Sequence, residues 1–223
     1  MSYPIAFLDR HRPKTISDLV FPDDAVAEEI NRQVARKMPR STLLHGPFGS
    51  GKSVAAEVIA NTILDDTFYY NGQSWIGSKL STAAKVDELR SFLGYVPYGA
   101  NFRVAIINEI HGMPADAQMA LRDIMDGIER HAVLIATANS TDKIDAGVYD
   151  RFTKIYCGQP VPTQWLRRAR RILAAEGVKV PDTVLLGVLN DHRTSIRDIM
   201  RGLEDLADMA HENARQQQAG GKR

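Results

Sequence analysis

Short apolar runs alternate with amphipathic stretches along the first 160 residues of the chain. The apolar runs that stop at glycine or polar residues predict buried strands at 41–45, 103–108, 132–137 and 153–157, and a further strand at 67–71. Apolar residues at helical spacing predict helices at 25–38, 53–64, 86–94 and 114–130. Strands that alternate with helices of this length are typical of the α/β class. We therefore expect a parallel sheet covered by helices on both faces.

The pattern changes after residue 160, where only helical periodicity follows, at 165–176, 181–189 and 195–213. This change predicts an α/β core over residues 1–160 and a small helical lid domain over 161–213. Residues 214–223 are nearly all polar or small, and we expect them to form a disordered tail because they offer little apolar surface to bury.

Composition excludes several classes of protein. Hydrophobic residues make up 44% of the 223 residues and charged residues 25%, as in ordinary globular chains. No apolar run reaches the roughly 18 residues of a membrane span, and the N-terminus does not have the form of a secretory signal. The single cysteine, Cys157, excludes an internal disulfide framework. We expect a cytoplasmic protein, or a nuclear one in a eukaryote, with no membrane partner.

Charge argues against a broad basic surface for nucleic acid, because the net charge is only +1. The clearest local excess of basic residues lies at 167–171. We interpret it as a solvated helix face.

One glycine-rich segment predicts a specific chemistry. It fits the phosphate-binding pattern G-x-x-x-x-G-K-[ST] without exception and reads Gly46-Pro47-Phe48-Gly49-Ser50-Gly51-Lys52-Ser53. The segment follows a predicted strand and opens a predicted helix, as this motif requires. We expect these residues and the following Val54 to bind a nucleoside triphosphate. Lys52 would reach the β- and γ-phosphates, and the Ser53 hydroxyl would ligate Mg²⁺.

The strand at 103–108 ends in a second motif, Asn108-Glu109. Proteins with such a phosphate loop usually carry Asp-Glu here, where the aspartate holds the Mg²⁺ shell and the glutamate activates water. Glu109 is the candidate general base. Asn108 can contact a magnesium-bound water only through a neutral amide oxygen, so the sequence predicts binding of ATP and Mg²⁺ and leaves hydrolysis open.

Together these residues resemble an AAA+ ATPase, most closely the small subunits of sliding-clamp loaders of the replication factor C type, over residues 7–207. The resemblance implies a P-loop NTPase core followed by a helical lid. The segment from His11 to Val20 looks like the family's segment against the adenine, which implies that Arg12, Pro13 and Val20 contact the base. The segment 117–122 looks like the family's Ala-Gln-Asn-Ala-Leu-Arg helix, so Gln118 and Arg122 would couple the DNA-facing pore to the ATP sites.

Four more roles are implied by the resemblance. Asn139 matches sensor 1, which orients the attacking water, and Arg197 matches sensor 2 of the lid. Arg151 matches the finger that reaches the neighbouring subunit's γ-phosphate. Asn71 matches an asparagine that restrains the catalytic Glu109 until DNA binds. The catalytic set would be Lys52, Glu109, Asn139 and Arg151.

These four residues also have structural interpretations. Asn139 could be a turn residue and Arg197 a solvated helix residue. Arg151 could form a surface ion pair with Asp150, and Asn71 could belong to an Asn-Gly turn.

The resemblance also implies partners. In such loaders DNA runs through the pore of an oligomer, gripped by helix N-termini, which here begin near 77–82 and 113–115. Lys79 and Ser81 would contact phosphates without reading bases; alternatively they only cap a surface helix. We thus expect a homo- or hetero-oligomer of AAA+ subunits that binds DNA, with a sliding clamp as a candidate partner.

Two alternatives stay open. Asn108 also fits a non-hydrolysing, ATP-bound scaffold subunit. Transposition, plasmid-maintenance and branch-migration ATPases use similar cores.

Clamp-loader subunits carry a C-terminal collar beyond the lid, which this sequence lacks. We therefore expect either a relative that assembles without a collar or a shortened chain.

Overall fold

The computed structural model describes residues 5–127, 131–193 and 195–220. Within these residues five parallel strands form one sheet in the order β2-β3-β4-β1-β5. The strands are β1 (Thr42–His45), β2 (Gly72–Ile76), β3 (Arg103–Asn108), β4 (Ala132–Ala138) and β5 (Thr153–Tyr156). The predicted fold class is confirmed.

Helices connect the strands and complete the fold. Their bounds are α1 (Phe7–Arg10), α2 (Asp24–Val34), α3 (Lys52–Leu64), α4 (Phe68–Asn71), α5 (Ala83–Gly94), α6 (Ala115–Gly127), α7 (Ala146–Asp150), α8 (Pro162–Ala175), α9 (Asp182–Asp191) and α10 (Ile196–Gly220). The predicted helix at 114–130 is thus present over the length of α6, and its positions 128–130 lie outside the described residues.

Both faces of the three central strands β1, β3 and β4 are buried, which explains why these strands are continuously apolar. Successive side chains of a strand point to opposite faces. On β3, Ala105 and Ile107 therefore join the core beneath α5 and α6, whereas Val104 and Ile106 join the core beneath α2 and α3.

Helices α8, α9 and α10 pack on one another around a third core that includes the buried Trp165, Leu185 and Leu203. The first helix belongs to the same core, because Phe7 is buried in it. The N-terminal segment is therefore attached to the C-terminal helices rather than to the sheet alone. No helix in the described ranges is long and apolar enough to cross a bilayer.

The predicted strand at 67–71 is wrong. Asp65–Thr67 is a 3₁₀ turn and Phe68–Asn71 is helical, and the strand begins only at Gly72. The aromatic run suggested a strand, but β-propensity reflects packing on a pleated surface. Here the Phe68 ring packs back onto Gly72, where a Cβ would lie 2.5 Å from it.

The predicted disorder of the tail is also wrong for residues 214–220, because α10 continues to Gly220. The polar composition of the tail predicts only that it buries little apolar surface, and this does not exclude a helix. Ala214, Arg215 and Gln216 are good helix formers, and a helix already nucleated by packing extends through such residues at little cost. Positions 221–223 lie outside the described residues.

Candidate nucleotide-binding site

Three neighbouring strands bring the predicted site together. Strand β4 lies between β3 and β1, and all three run in the same direction. Their carboxyl ends lead into Glu109, Asn139 and the loop that begins at Gly46. Parallel sheets bind ligands at this edge, so residues far apart in sequence meet there.

The phosphate loop contains glycines with positive φ values, which other residues rarely adopt. Gly46 has a φ of +149°, and a Cβ there would lie 2.2 Å from the carbonyl oxygen of Cys157. Gly51 has a φ of +82° and directly precedes α3, whose first residue is Lys52. The loop therefore delivers the chain to a helix N-terminus, which favours anions through its unpaired N–H groups and its dipole.

A cavity of about 460 Å³ opens over this loop, bounded by the loop, the sheet edge and α10. Most of the predicted nucleotide and catalytic residues line it, namely Arg12, Pro13, Val20, Phe48, Gly49, Ser50, Gly51, Lys52, Ser53, Val54, Glu109, Asn139 and Arg197. Gly46, Pro47, Asn108 and Arg151 are not in the lining. The lining also contains residues that the motifs did not indicate, including Thr137, Trp165, Arg168 and Met200.

Lys52 is a buried cation without an anionic partner at hydrogen-bond distance among the described residues. Its side chain is folded onto the loop, and Nζ donates to the carbonyl oxygens of Gly46 at 3.0 Å and Pro47 at 2.7 Å. Burial lowers the pKa of Lys52, an effect that Cys157 and Glu109 partly offset. A phosphate group in the cavity would supply the negative charge that this ammonium lacks.

Glu109 is held in a strained backbone conformation. Its φ of +56° lies in the left-handed region, which costs a non-glycine residue on the order of 1–3 kcal/mol. Its N–H donates to Thr137 Oγ1 at 3.1 Å, and that hydroxyl donates to Asn108 Oδ1 at 3.3 Å. Thr137 therefore fixes both residues of the Asn108-Glu109 pair.

The predicted magnesium ligands differ in their positions. Ser53 lines the cavity beside Lys52, and its hydroxyl is an oxygen ligand of the kind that Mg²⁺ takes. Asn108 lies behind Glu109, outside the lining, and offers a neutral oxygen that already accepts from Thr137. If Mg²⁺ binds here, these positions leave the nucleotide and Ser53 as its main ligands. The described residues hold no cluster of three or more His, Cys, Asp and Glu suited to a metal.

The expectation of a solvated helix face is wrong for Arg168, which holds the N-terminal segment over the cavity. Arg168 donates to Asp18 Oδ1 and to the His11 carbonyl oxygen, both at 2.7 Å. Its side chain is only 12% exposed. Arg12 pairs with Glu57 of α3, so the segment is attached to both sides of the cavity.

Gln118 links the loop after β3 to the loop after β4. Its side chain is buried, and Nε2 donates to the carbonyl oxygens of Met113 at 3.0 Å and Lys143 at 2.9 Å. Its Oε1 accepts from the N–H of Asp145 at 2.6 Å. Arg122 lies one turn further along α6, against Gly147.

The expected position of Asn71 is wrong. It ends α4 and precedes β2, so it lies at the opposite end of the sheet from Glu109, which follows β3. Its side chain is fully buried and forms two hydrogen bonds of 2.8 Å with the backbone of Tyr98. Because both polar atoms of the side chain bond to the backbone of Tyr98, Asn71 is not positioned to restrain Glu109.

Three other predicted residues lie outside the cavity. Arg151 follows α7 and pairs with Asp126, not with the expected Asp150. Lys79 ends the turn Gly77–Lys79, and Ser81 lies before α5; both are exposed. Thr82, not Ser81, caps α5.

The family described as the ATPase family associated with various cellular activities (AAA) matches residues 42–159. The chain belongs to this AAA family. The match runs from the start of β1 to just beyond β5 and contains the phosphate loop, Glu109 and Asn139. Membership of the AAA ATPase family implies that the chain binds a nucleotide.

Curated relatives of the AAA ATPase include replication factor C subunits. The chain is 27% identical over 208 residues to the replication factor C small subunit of Thermofilum pendens, which covers 89% of this chain and 61% of that protein. It is 26% identical over 231 residues to replication factor C subunit 5 of Schizosaccharomyces pombe, covering 90% and 64%. The chain thus spans less than two thirds of the length of these relatives.

Solved structures of RuvB from Thermotoga maritima have the same fold. The one titled as a Holliday junction branch migration motor has a TM-score of 0.70 and 18% identity over 92% of this chain and 66% of that chain. A mutant of the same protein has a TM-score of 0.75 and 16% identity over 90% of this chain and 66% of that chain. At these identities the likeness concerns the fold alone.

Proposed function

We propose that this AAA ATPase hydrolyses ATP as one subunit of an oligomeric, DNA-associated machine of the clamp-loader type. The carrying observation is the position of Arg151. Thr153 at the start of β5 is in register with Thr42 at the start of β1, whereas the phosphate loop follows the end of β1. Arg151 is therefore separated from its own loop by the length of the strand, roughly 13 Å. If this arginine acts in hydrolysis, it acts on a neighbouring subunit's ATP.

Within one subunit the chemistry is divided among residues of the cavity. Lys52 binds the β- and γ-phosphates, Glu109 takes a proton from the attacking water, and Asn139 orients that water. Ser53, and Asn108 through a water, would hold Mg²⁺, which would supply positive charge to neutralise the phosphates. Arg12, Pro13 and Val20 contact the base, and Arg197 of α10 contacts the phosphates from the lid side.

The DNA-facing segment touches the catalytic loop directly, which supports coupling between DNA binding and hydrolysis. A Cβ on Gly77 would lie 2.3 Å from the carbonyl oxygen of Glu109, so the two backbones are in contact. Lys79 lies two residues further along the same turn. A phosphate bound by Lys79, Ser81 and nearby N–H groups can thus shift the backbone of Glu109.

The direct experiment is Arg151→Ala in the assembled protein. In P-loop hydrolases an arginine supplied in trans contributes on the order of 10³–10⁵ to the rate. Turnover should fall accordingly, while ATP affinity of the isolated subunit stays near wild type. Unchanged turnover would remove the in-trans assignment.

DNA binding is tested by its salt dependence. Lys79→Ala should reduce the slope of log affinity against log salt by about one per engaged subunit. Lys179→Ala is a matched control, because Lys179 is an exposed lysine between α8 and α9 of the helical lid rather than beside the segment 77–82. Equal slopes for Lys79→Ala and the control would mean that DNA binds elsewhere on the protein.

Co-purification with a sliding clamp separates a loader from transposition, plasmid-maintenance and branch-migration ATPases.

A non-hydrolysing, ATP-bound scaffold subunit is the second candidate, and Asn108 favours it. The position lacks the charge expected beside Mg²⁺, and its amide oxygen is engaged by Thr137. Asn108→Asp distinguishes the two. Hydrolysis that appears only in this variant supports the scaffold; wild-type hydrolysis that the substitution leaves unchanged excludes it.

A further inference from the structure

Helix α6 presents three polar side chains, Gln118, Arg122 and Asp126, at positions i, i+4 and i+8, which form one stripe of the helix. The stripe faces the segment 143–151, which runs from the loop after β4 through α7. Gln118 binds the start of that segment and Arg122 packs against its middle, as described above. Asp126 binds its end, at Arg151.

The contact between Asp126 and Arg151 is bidentate. Arg151 Nε donates to Oδ1 and Nη2 donates to Oδ2, both at 2.7 Å. Nη1 donates to the carbonyl oxygen of Gly147 at 2.6 Å. Such a fork fixes the plane and the position of the guanidinium, unlike a single contact to a point charge. The described residues occupy three of its five N–H donors, and one donor remains on each terminal nitrogen for a phosphate oxygen.

This geometry has little value for folding, because both side chains are exposed, Asp126 by 58% and Arg151 by 32%. Exposed ion pairs contribute little to stability. The hydrogen bond from Arg151 lowers the pKa of Asp126, and the hydrogen bond to Asp126 raises that of Arg151. Asp145 and Asp123 act on Arg151 in the same direction. The pair therefore stays charged throughout the neutral range.

We propose that Asp126 is the positioning residue for Arg151: it presents the guanidinium at the subunit surface in a fixed orientation for the neighbouring ATP site. The inference rests on the proposed function of Arg151. An arginine on the surface samples many rotamers, and binding a phosphate in only one of them slows the productive encounter. The carboxylate of Asp126 removes that freedom before the neighbour docks. It acts through Arg151 and touches no substrate.

The test substitutes Asp126→Asn, which keeps the size and cannot accept from both Nε and Nη2. Turnover of the assembled protein should fall about 10- to 100-fold, in kcat rather than in KM, because the misplaced group acts on the bound substrate. Asp126→Glu keeps the two acceptor oxygens and should recover part of the loss. Asp87→Asn is the control, because Asp87 forms an exposed pair with Arg90 on α5. It should leave turnover and melting temperature unchanged.

The double variant Asp126→Asn/Arg151→Ala should turn over no more slowly than Arg151→Ala alone, since Asp126 acts through that arginine. A slow Arg151→Ala with a normal Asp126→Asn would overturn this inference and leave the proposed function standing. A normal Arg151→Ala would overturn both. Faster turnover in Asp126→Asn would mean that the carboxylate restrains the arginine. Additive losses together with a lowered melting temperature would assign Asp126 a structural role, and either result would overturn the proposal.

Discussion

Thr137 Oγ1 accepts the backbone N–H of Glu109 at 3.1 Å, across the pairing of β3 with β4. The hydroxyl is the polar exception in a buried apolar strand, with the residue only 2% exposed. Because Glu109 adopts a strained backbone, this hydrogen bond contributes to holding its carboxylate over the cavity.

Thr137→Val removes that hydroxyl at nearly constant volume. Turnover should fall while ATP affinity is retained, and the free energy of unfolding should drop by about 0.5–1.5 kcal/mol, because the partly buried N–H of Glu109 loses its acceptor. Steady-state hydrolysis, nucleotide titration and chemical denaturation measure these effects. Thr137→Ser keeps the hydroxyl and should restore both properties. Wild-type turnover in Thr137→Val would show that Glu109 does not depend on this bond.

Arg168→Ala removes the partly buried ties from α8 to Asp18 and His11, while Arg171 of the same helix keeps its contacts with the N-terminal segment. Charged hydrogen bonds contribute about 1.5–3 kcal/mol, so ATP affinity should weaken by roughly 10- to 100-fold. Turnover at saturating ATP should change little, because Arg168 holds the segment predicted to contact the base and not the catalytic carboxylate. Arg167→Ala, an exposed arginine of the same helix, serves as the control. Equal affinities of the two variants would contradict this role.

Asn71→Ala tests the corrected role of that residue. Two backbone groups of Tyr98 lose their partners in the folded protein, which should cost about 1–3 kcal/mol of unfolding free energy. Hydrolysis per folded molecule, with and without DNA, should stay at the wild-type level. ATP hydrolysis that no longer requires DNA in this variant would instead show that Asn71 restrains Glu109.

Cys157 predicts how stability depends on alkaline pH. Burial raises the pKa of its thiol to about 12, although nearby Lys52 lowers it. A thiol that holds its proton more tightly when folded stabilises the fold below its unfolded pKa of 9.0, and this contribution is lost as the pH rises from there towards about 12. Relative to Cys157→Ala, the wild type should lose up to about 1.4 kcal/mol of unfolding free energy per pH unit above pH 9. Parallel pH profiles in denaturation experiments would contradict the buried thiol.

The phosphate loop could be predicted from the sequence because its chemistry is local: consecutive residues specify the turn, the cation and the helix start. Thr137 could also have been identified from the sequence, because it is a polar residue in an otherwise apolar strand. Two ion pairs could not be predicted from the sequence: Arg168 with Asp18, and Arg151 with Asp126. The partners are 150 and 25 residues apart, and the sequence offers many other acidic residues with which each arginine could pair. Asn71 was misplaced because aromatic residues favour strands on average, and only the packing of Phe68 on Gly72 decides against one.

The central claim is that Glu109 of one subunit and Arg151 of another act on the same ATP. Glu109→Gln and Arg151→Ala should each be nearly inactive alone, because every site then lacks one of the two groups. When the two variants are mixed and allowed to assemble, some interfaces combine an intact Glu109 with an intact Arg151. ATP hydrolysis by the mixture should therefore rise well above the sum of the separate variants. A mixture that forms mixed oligomers by mass and remains inactive would contradict the account.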